Sequence, residues 1–194
     1  MSDDKMEVKR EGLDDICDLF NKYGSNKDRN GYLQVYHCLF NGFQSGTVTI
    51  LAIGSSTESL SALRDYFING KIVNIGSEIT ENIQRERIEY YECNPTNKNE
   101  VTDFMTKMDS KFDIIIDDSC NDDMHKIGTL RNMYGYLKEE GIYIIEELGV
   151  ESKLTQCPSL VGCLCNHDCY FFAGIKNNMC VIQKYHINSK RKTY

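Results

Sequence analysis

The sequence predicts an α/β fold with a mostly parallel, doubly wound sheet and an antiparallel hairpin at its C-terminal end. Strand patterns alternate with helical patterns over the middle of the chain, an order typical of parallel sheets covered by helices on both faces. The segment "GTVTILAIG" is nearly continuous in apolar and β-branched residues, as expected for a strand buried on both faces. The order "CYFFAGI", "KNN" and "MCVIQKY" indicates a hairpin. The predicted class is therefore Rossmann-like.

Residues 1–46 form a predicted N-terminal helical segment. In "GLDDICDLFNKYG", apolar residues recur at helical spacing, and Gly24 follows as a helix-ending glycine. The stretch "SNKDRNG" is rich in turn residues, and "YLQVYHCLF" again shows helical spacing. We therefore expect two helices joined by a turn, ahead of a Rossmann-like core over residues 47–194, all in a single domain.

Within the core, strands and helices are predicted in strict alternation. The helical patterns are "SLSALRDYF", "NKNEVTDFMTKM" and "MHKIGTLRNMYGYLKE"; the strand patterns are "KIVNI", "RIEYYECN", "FDIIIDD" and "GIYIIEE". In open sheets of this kind, ligands bind beyond the carboxyl ends of the strands. The segments that follow those ends are 54–58, 76–78, 93–95, 117–121 and 146–148.

Composition excludes several classes of protein. The net charge of −7, from 22 basic and 29 acidic residues, disfavours a nucleic-acid binder, which would concentrate positive charge. No apolar run is long enough to cross a membrane, and the charged start "MSDDKMEVKREG" is unlike a signal peptide. The nine cysteines include several inside apolar periodic segments, as reduced core cysteines do. We therefore predict a cytoplasmic protein.

Two predicted strands end in paired carboxylates, Asp117–Asp118 and Glu146–Glu147. If these strands are neighbours, their ends lie about 4.8 Å apart, so that the carboxylates meet. Gathered like charges raise their own pKa values unless a cation joins them, and Mg²⁺ or Mn²⁺ suits carboxylate oxygens. The alternative is that these acids are solvated strand ends, or that Asp118 and Asp122 cap the next helix.

The first strand runs into the turn "GSSTE", which has a single glycine, Gly54. Turns that bind a cofactor usually carry several glycines, because side chains crowd a closely packed ligand. Ser55 with Glu58 three residues later fits a capping box, which explains the turn without any ligand.

The segments "YGSNKDRNGYLQVYHCLF", "FDIIIDDSCN" and "LKEEGIYIIEEL", in this order, resemble the macrocin-type sugar O-methyltransferases, a branch of the class I S-adenosylmethionine-dependent enzymes. The resemblance spans nearly the whole chain. It implies S-adenosylmethionine as cofactor, a glycan or glycosylated small molecule as acceptor, and Mg²⁺ (or Mn²⁺) held by Asp118, Glu146 and Glu147. In such enzymes the metal orients sugar hydroxyls and lowers their pKa.

At the cofactor site the chain departs from the family pattern. Ala52 and Gly76 stand where the family has acids at the ends of the first two strands, and the acid after the third strand is replaced by Asn94. In the N-terminal motif the family's Asp and His are Asn26 and Asn30. The residues that the resemblance leaves as cofactor ligands are Gly54, Ser55, Ser56, Glu78, Asn94 and Asp117.

The catalytic base is a second departure. The family's histidine three residues after Asp118 is Asn121, whose amide cannot accept a proton at neutral pH. His125 lies four residues further on and shares a helix face with Asn121 if the segment is helical. We predict His125 as a substitute base, with a surface helix histidine as the alternative.

The cluster "GCLCNHDC" brings Cys163, Cys165, His167 and Cys169 together, but its one-residue gaps differ from the usual spacing of zinc ligands. Three functions stay open: a metal-assisted sugar O-methyltransferase, a catalytically inactive binding or assembly module, and a protein that binds a nucleotide-sugar through the metal. The strand "YFFAGI" is expected at a sheet edge, where it can pair with a second copy and form a homo-oligomer.

Overall fold

The computed structural model of the protein describes residues 15–44, 46–77, 86–149, 151–156 and 169–184. The helices of these ranges are α1 (Ile16–Tyr23), α2 (Lys27–Asn30), α3 (Leu33–Phe40), α4 (Thr57–Tyr66), α5 (Lys98–Met108), α6 (Asp123–Met133) and α7 (Lys153–Gln156). The strands are β1 (Thr49–Ile53), β2 (Lys71–Gly76), β3 (Ile88–Glu92), β4 (Phe112–Asp117), β5 (Leu137–Leu148), β6 (Cys169–Phe172) and β7 (Asn178–Gln183).

All seven strands form one sheet in the order β3-β2-β1-β4-β5-β7-β6. The first five pair in parallel, whereas β7 runs antiparallel to both β5 and β6. The predicted Rossmann-like class and the C-terminal hairpin are therefore confirmed. The strand order places β4 and β5, which carry the two acidic tips, side by side.

Helices cover both faces of the sheet, and β1 shows why its sequence is apolar throughout. Ile50 and Ala52 pack with α1, α3 and α4, whereas Leu51 and Ile53 pack on the other face with α5 and α6. All four residues are buried. A strand between two helical layers has no solvent-facing side, which accounts for the unbroken apolar run in the sequence.

The N-terminal helices begin and end close to where the sequence predicts. Asp15 caps α1 by accepting a hydrogen bond from the Cys17 N–H at 2.8 Å, and Gly24 ends it in the left-handed conformation. The stretch "SNKDRNG" is more than a turn, because it contains the single-turn helix α2, which ends at Gly31. Lys27 in α2 is buried, and its tertiary contacts, described below, stabilise this turn of helix.

The sixth helix is shorter than its pattern predicts. The helical spacing continues through "YGYLKE", but α6 ends at Met133 and a 3₁₀ turn over Tyr134–Tyr136 leads directly into β5. Leu137 pairs with Phe112 on β4, and Lys138 forms an ion pair with Asp113 at 2.8 Å. Sheet pairing thus overrides the local helical pattern. Among the described residues, no helix combines the length and apolarity needed to span a bilayer.

Candidate functional site

A cavity of about 340 Å³ lies beyond the carboxyl ends of β1 to β4. It includes three predicted site residues, Gly54, Asn94 and His125. Ser77 and Ser119 fall in segments that the sequence analysis marks as following strand ends, but neither they nor Thr96 were predicted as site residues. The lining consists of Ile53, Gly54, Gly76, Ser77, Asn94, Pro95, Thr96, Ser119 and His125.

The turn after β1 needs its glycine for an internal reason. Gly54 has φ +71°, and a Cβ at this position would lie 2.7 Å from the Cα of Ser119. The glycine therefore lets the loops after β1 and β4 approach each other. The helix cap is Ser56, whose side chain accepts from the Ser59 N–H at 3.3 Å, so the predicted capping box of Ser55 with Glu58 is wrong. Ser55 is buried, and neither serine lines the cavity.

Asn94 shapes the cavity wall after β3. Its Oδ1 accepts hydrogen bonds from the N–H and the hydroxyl of Thr96, at 3.0 and 2.8 Å, and its own N–H donates to Glu100 at 2.8 Å. Apart from His125, the polar side chains that line the cavity carry no ionisable group, and Ile53 and Pro95 add apolar surface. This donor set fits an adenosyl group, which needs a flat apolar contact and a few hydrogen bonds. Glu78 lies outside the described residues.

His125 is joined to a buried carboxylate through Ser119. The hydroxyl of Ser119 donates to Asp117 Oδ1 at 2.6 Å, and His125 Nδ1 lies 3.3 Å from the same hydroxyl oxygen. Thr129 Oγ1 lies 3.5 Å from that nitrogen. The backbone N–H of His125 donates to Asp122, which caps α6 as the sequence allowed. His125 therefore lies in the first turn of α6 and lines the cavity.

Asp117 lies outside the cavity, because other groups of the chain bind it. Its Oδ1 accepts from Ser119 and lies 3.2 Å from the Lys126 ammonium, which also donates to the Asp117 carbonyl at 2.9 Å. Lys126 is 1% exposed and Asp117 fully buried. A buried charge needs such a partner, so this pair fixes the end of β4. The role of Asp117 as a cofactor ligand stays a prediction that this geometry does not support.

The acidic tips of β4 and β5 do meet, but an ammonium lies between them. Lys27 Nζ donates to Asp118 Oδ2 at 2.7 Å and also to Glu146. The other oxygen of Glu146 accepts from the hydroxyl of Tyr36. Lys27 is 2% exposed, and Glu146 and Tyr36 are buried as well. The two carboxylates therefore share a cation that the chain itself supplies.

The ionisation of this cluster follows from burial and charge. Burial raises the pKa of Asp118 to about 7 and the Glu146 charge adds to this, while Lys27 acts in the opposite direction. Burial works against the charge of Lys27, but Glu146 and Asp118 together raise the pKa of its ammonium. Burial, followed by the Glu146 charge, raises the pKa of Tyr36. Lysine and tyrosine therefore both remain proton donors.

Glu147 lies apart from the other two acids. It has φ +56° at a register irregularity between β5 and β7, an uncommon conformation for a residue with a side chain. Its carboxylate accepts from the amides of Asn30 and Asn177, and its N–H donates to the Tyr32 hydroxyl at 3.0 Å. The bulge therefore directs Glu147 to neutral amide donors.

This arrangement does not fit a divalent metal on Asp118, Glu146 and Glu147. Within the described ranges, no group of three or more His, Cys, Asp or Glu side chains is placed to bind a metal ion. The ammonium lies where a metal would have to contact Asp118 and Glu146. The magnesium site therefore stays a prediction without support from the geometry. Of the candidate zinc ligands, Cys163, Cys165 and His167 lie outside the described residues.

No protein-family model and no curated protein sequence matches the chain. Solved structures do match. MycE, a methyltransferase from the mycinamycin biosynthetic pathway in complex with Mg, SAH and mycinamycin VI, superposes with a TM-score of 0.76 at 16% identity, over 94% of this chain and 58% of that one. An O-methyltransferase family protein from Burkholderia thailandensis gives a TM-score of 0.57 at 10% identity, over 89% and 62%.

Human methyltransferase-like protein 13, in complex with SAH, gives a TM-score of 0.53 at 16% identity, over 76% of each chain. The chain spans somewhat more than half the length of the MycE structures. At these identities the likeness concerns the arrangement of the elements, which agrees with the seven-stranded sheet and its antiparallel C-terminal pair. The chain therefore has the class I methyltransferase fold.

Proposed function

We propose that this chain binds S-adenosylmethionine in the cavity beyond β1 to β4 and transfers the methyl group to a hydroxyl of a sugar or a glycosylated small molecule. The observation that carries the proposal is His125, which lines the cavity while Ser119 links it to a buried carboxylate. When bound, the cofactor supplies an electrophilic methyl group on a sulfonium centre. The acceptor class comes from the resemblance to sugar O-methyltransferases.

The lining of the cavity suits the adenosyl part of this cofactor. Ile53 and Pro95 offer apolar surface to a ring, and Ser77, Asn94 and Thr96 offer hydrogen-bonding groups to a ribose or an adenine edge. These groups are neutral, so the ribose would be bound without the carboxylate that the family uses. We therefore expect binding that is weaker than in relatives with that acid.

The single proton of the Ser119 hydroxyl supports the proposed base function of His125. This proton is donated to Asp117 at 2.6 Å, so Ser119 can bind His125 only as an acceptor, which favours the tautomer with the proton on Nδ1. The other ring nitrogen, Nε2, is then free to accept the proton of an acceptor hydroxyl. The negative charge of Asp117, acting through Ser119, stabilises the imidazolium that forms.

The test uses the full chain with S-adenosylmethionine and a panel of glycosylated small molecules. We expect His125→Gln to retain binding of S-adenosylhomocysteine in calorimetry and to lose methyl transfer by about 100-fold or more. The control is His37→Gln, a half-exposed histidine on α3, which should leave both unchanged. No binding of the product cofactor at millimolar concentration, or equal turnover of the two variants, would overturn the proposal.

Ser119→Ala tests the link between the histidine and the carboxylate. We expect kcat to fall about tenfold with little change in KM, because the preferred tautomer of His125 is no longer held. Nitrogen NMR of the imidazole gives a readout that is independent of turnover. The wild-type ring should show a protonated Nδ1, and the variant a mixture of tautomers. A single unchanged tautomer in the variant would contradict the link.

A second candidate is a catalytically inactive module that retains the fold and binds an adenosyl ligand. It is favoured by the end of β2, where Gly76 replaces an acid, and by Asn94 after β3. This candidate predicts that S-adenosylhomocysteine binds but that no acceptor is methylated, and that His125→Gln changes nothing measurable.

We also propose that the chain self-associates through β6, one of the two edge strands that the described residues form. Tyr170 and Phe172 on this strand are 48% and 37% exposed, and among the described residues no strand pairs with its outer edge, which can offer backbone groups to a second copy. Gel filtration combined with light scattering tests this, with Tyr170→Lys expected to favour the monomer. A wild-type monomer at high concentration would contradict it.

A further inference from the structure

We infer that the Lys27 ammonium is the built-in cation of the acidic tips, in the position where the resemblance implies a divalent metal. The protein would then need no metal ion at Asp118 and Glu146. The consequence for catalysis, methyl transfer without a metal, rests on the proposed function, whereas the assignment of the cation does not.

The position of the ammonium is the first observation. Lys27 Nζ contacts carboxylates from two neighbouring strand ends, Asp118 at 2.7 Å and Glu146. A metal ion bridging the same two groups would have to displace this ammonium. The displaced ammonium would lose both partners inside a buried site, which strongly disfavours its displacement. Lys27 and a metal ion would therefore compete for the same position between Asp118 and Glu146.

The remaining donors around the site are used by the chain as well. The second oxygen of Glu146 accepts from Tyr36, and Glu147 is bound by Asn30 and Asn177. Mg²⁺ takes six oxygen ligands in near-octahedral geometry, usually including several waters. Glu146 and Tyr36 are fully or almost fully buried, so while Lys27 occupies the space between the carboxylates little of such a shell could form beside them.

The backbone of α2 holds Lys27 in place. The single turn ends at Gly31 in the left-handed conformation, and the carbonyl of Asn30 accepts from the Ile175 N–H at 3.0 Å. A Cβ on Gly31 would lie 3.2 Å from the side chain of Ile175, so this contact between α2 and the loop before β7 is close. The ammonium is therefore positioned by two separate parts of the chain.

The experiment measures metal binding and thermal unfolding of the full chain after chelator treatment. For the wild type, Mn²⁺ titration followed by EPR should show no stoichiometric site, and the Tm should not change with Mg²⁺ or Mn²⁺. Lys27→Ala removes the cation and leaves room beside two carboxylates. We expect its Tm to fall by about 10 °C, and Mn²⁺ to restore at least half of that loss.

The matched control is Lys126→Ala, which removes an equally buried ammonium from Asp117. It should be destabilised to a similar degree but not rescued by Mn²⁺, because within the described part of the chain Asp117 is the one carboxylate that contacts Lys126. Rescue of Lys27→Ala and not of Lys126→Ala would therefore support a shared cation position rather than general ion binding.

Two results would overturn the inference. One is a wild-type protein that binds one Mn²⁺ with micromolar affinity and loses it in Asp118→Asn. The other is a folded Lys27→Ala protein without any gain in Mn²⁺ binding. If Lys27→Ala does not fold, the wild-type titration decides alone. Failure to bind S-adenosylhomocysteine would defeat the proposed function and leave these metal measurements unaffected.

Discussion

The two halves of the carboxyl edge of the sheet differ in whether they leave space for a ligand. The cavity half, at the ends of β1 to β3, presents Gly54, Gly76 and Asn94 around an open volume. The acidic half, at the ends of β4 and β5, presents Asp118 and Glu146 and is filled by the chain's own donors. One half retains space for a ligand, whereas the other is closed.

The chemistry of the side chains explains this difference. Neutral groups such as Asn94 and Thr96 can hydrogen-bond with each other, and they leave the cavity open at little cost. Buried carboxylates need a compensating charge or several donors at all times. Neutral residues at the ends of β1 to β3 and acids at the ends of β4 and β5 therefore have opposite effects on how the chain packs.

The largest effect is expected where the two halves touch. Gly54→Ala should cost about 3 kcal/mol in the free energy of unfolding, because its Cβ meets the backbone of Ser119 and φ is +71°. The matched control is Gly24→Ala, with φ +73° and no atom within 4 Å of the added Cβ, which should cost about 1 kcal/mol. Urea unfolding measures the free energy of unfolding of both variants. Equal losses would show that the loop containing Ser119 moves away from the added Cβ at little cost.

A smaller effect is expected inside the acidic half. Tyr36→Phe removes the hydroxyl that donates to Glu146 and leaves a buried carboxylate oxygen without that donor, at a cost of about 2 kcal/mol. Tyr23→Phe is the control, because Tyr23 donates to Asp65, whose side chain is 25% exposed, and its loss should cost less than about 1 kcal/mol. A similar cost for both variants would mean that the acidic half is more hydrated than its burial indicates.

The smallest effect on the free energy of unfolding is expected from Asp118→Asn near pH 4. The folded-state pKa of Asp118, about 7, exceeds its ordinary value of 3.8, so folding favours the protonated acid. This contribution to stability is complete below about pH 4 and is lost as the pH rises through 7. The variant should match the wild type near pH 4 and exceed it by a growing margin as the pH rises towards 8. Thermal unfolding across this range tests the sign, and parallel curves would contradict the pKa shift.

Most of the fold follows from local patterns in the sequence. The apolar run of β1, the glycine that ends α1 and the C-terminal hairpin are all found as predicted. Two of the wrong predictions, the continuation of α6 and the plain turn before α3, fall where residues pair with distant parts of the chain. Local spacing carries no information about such partners.

The candidate site was predicted less completely. The acidic tips of β4 and β5 and the position of His125 are visible in the sequence, because they follow strand ends and helix starts. Lys27 was missed as a site residue, since its two partners lie 91 and 119 residues away in the chain. The available signal was that Lys27 lies inside "YGSNKDRNGYLQVYHCLF", one of the segments on which the resemblance rests.

The sequence by itself determined the sheet, its helices and the gathering of acids at one edge, because strand and helix periodicity and the parallel connections are local properties of the chain. Only the tertiary structure decided which cation those acids meet and that Glu147 lies apart from them. Which group neutralises a buried charge depends on distances between remote segments, and these distances exist only once α2 and the loop before β7 have packed against the end of β5.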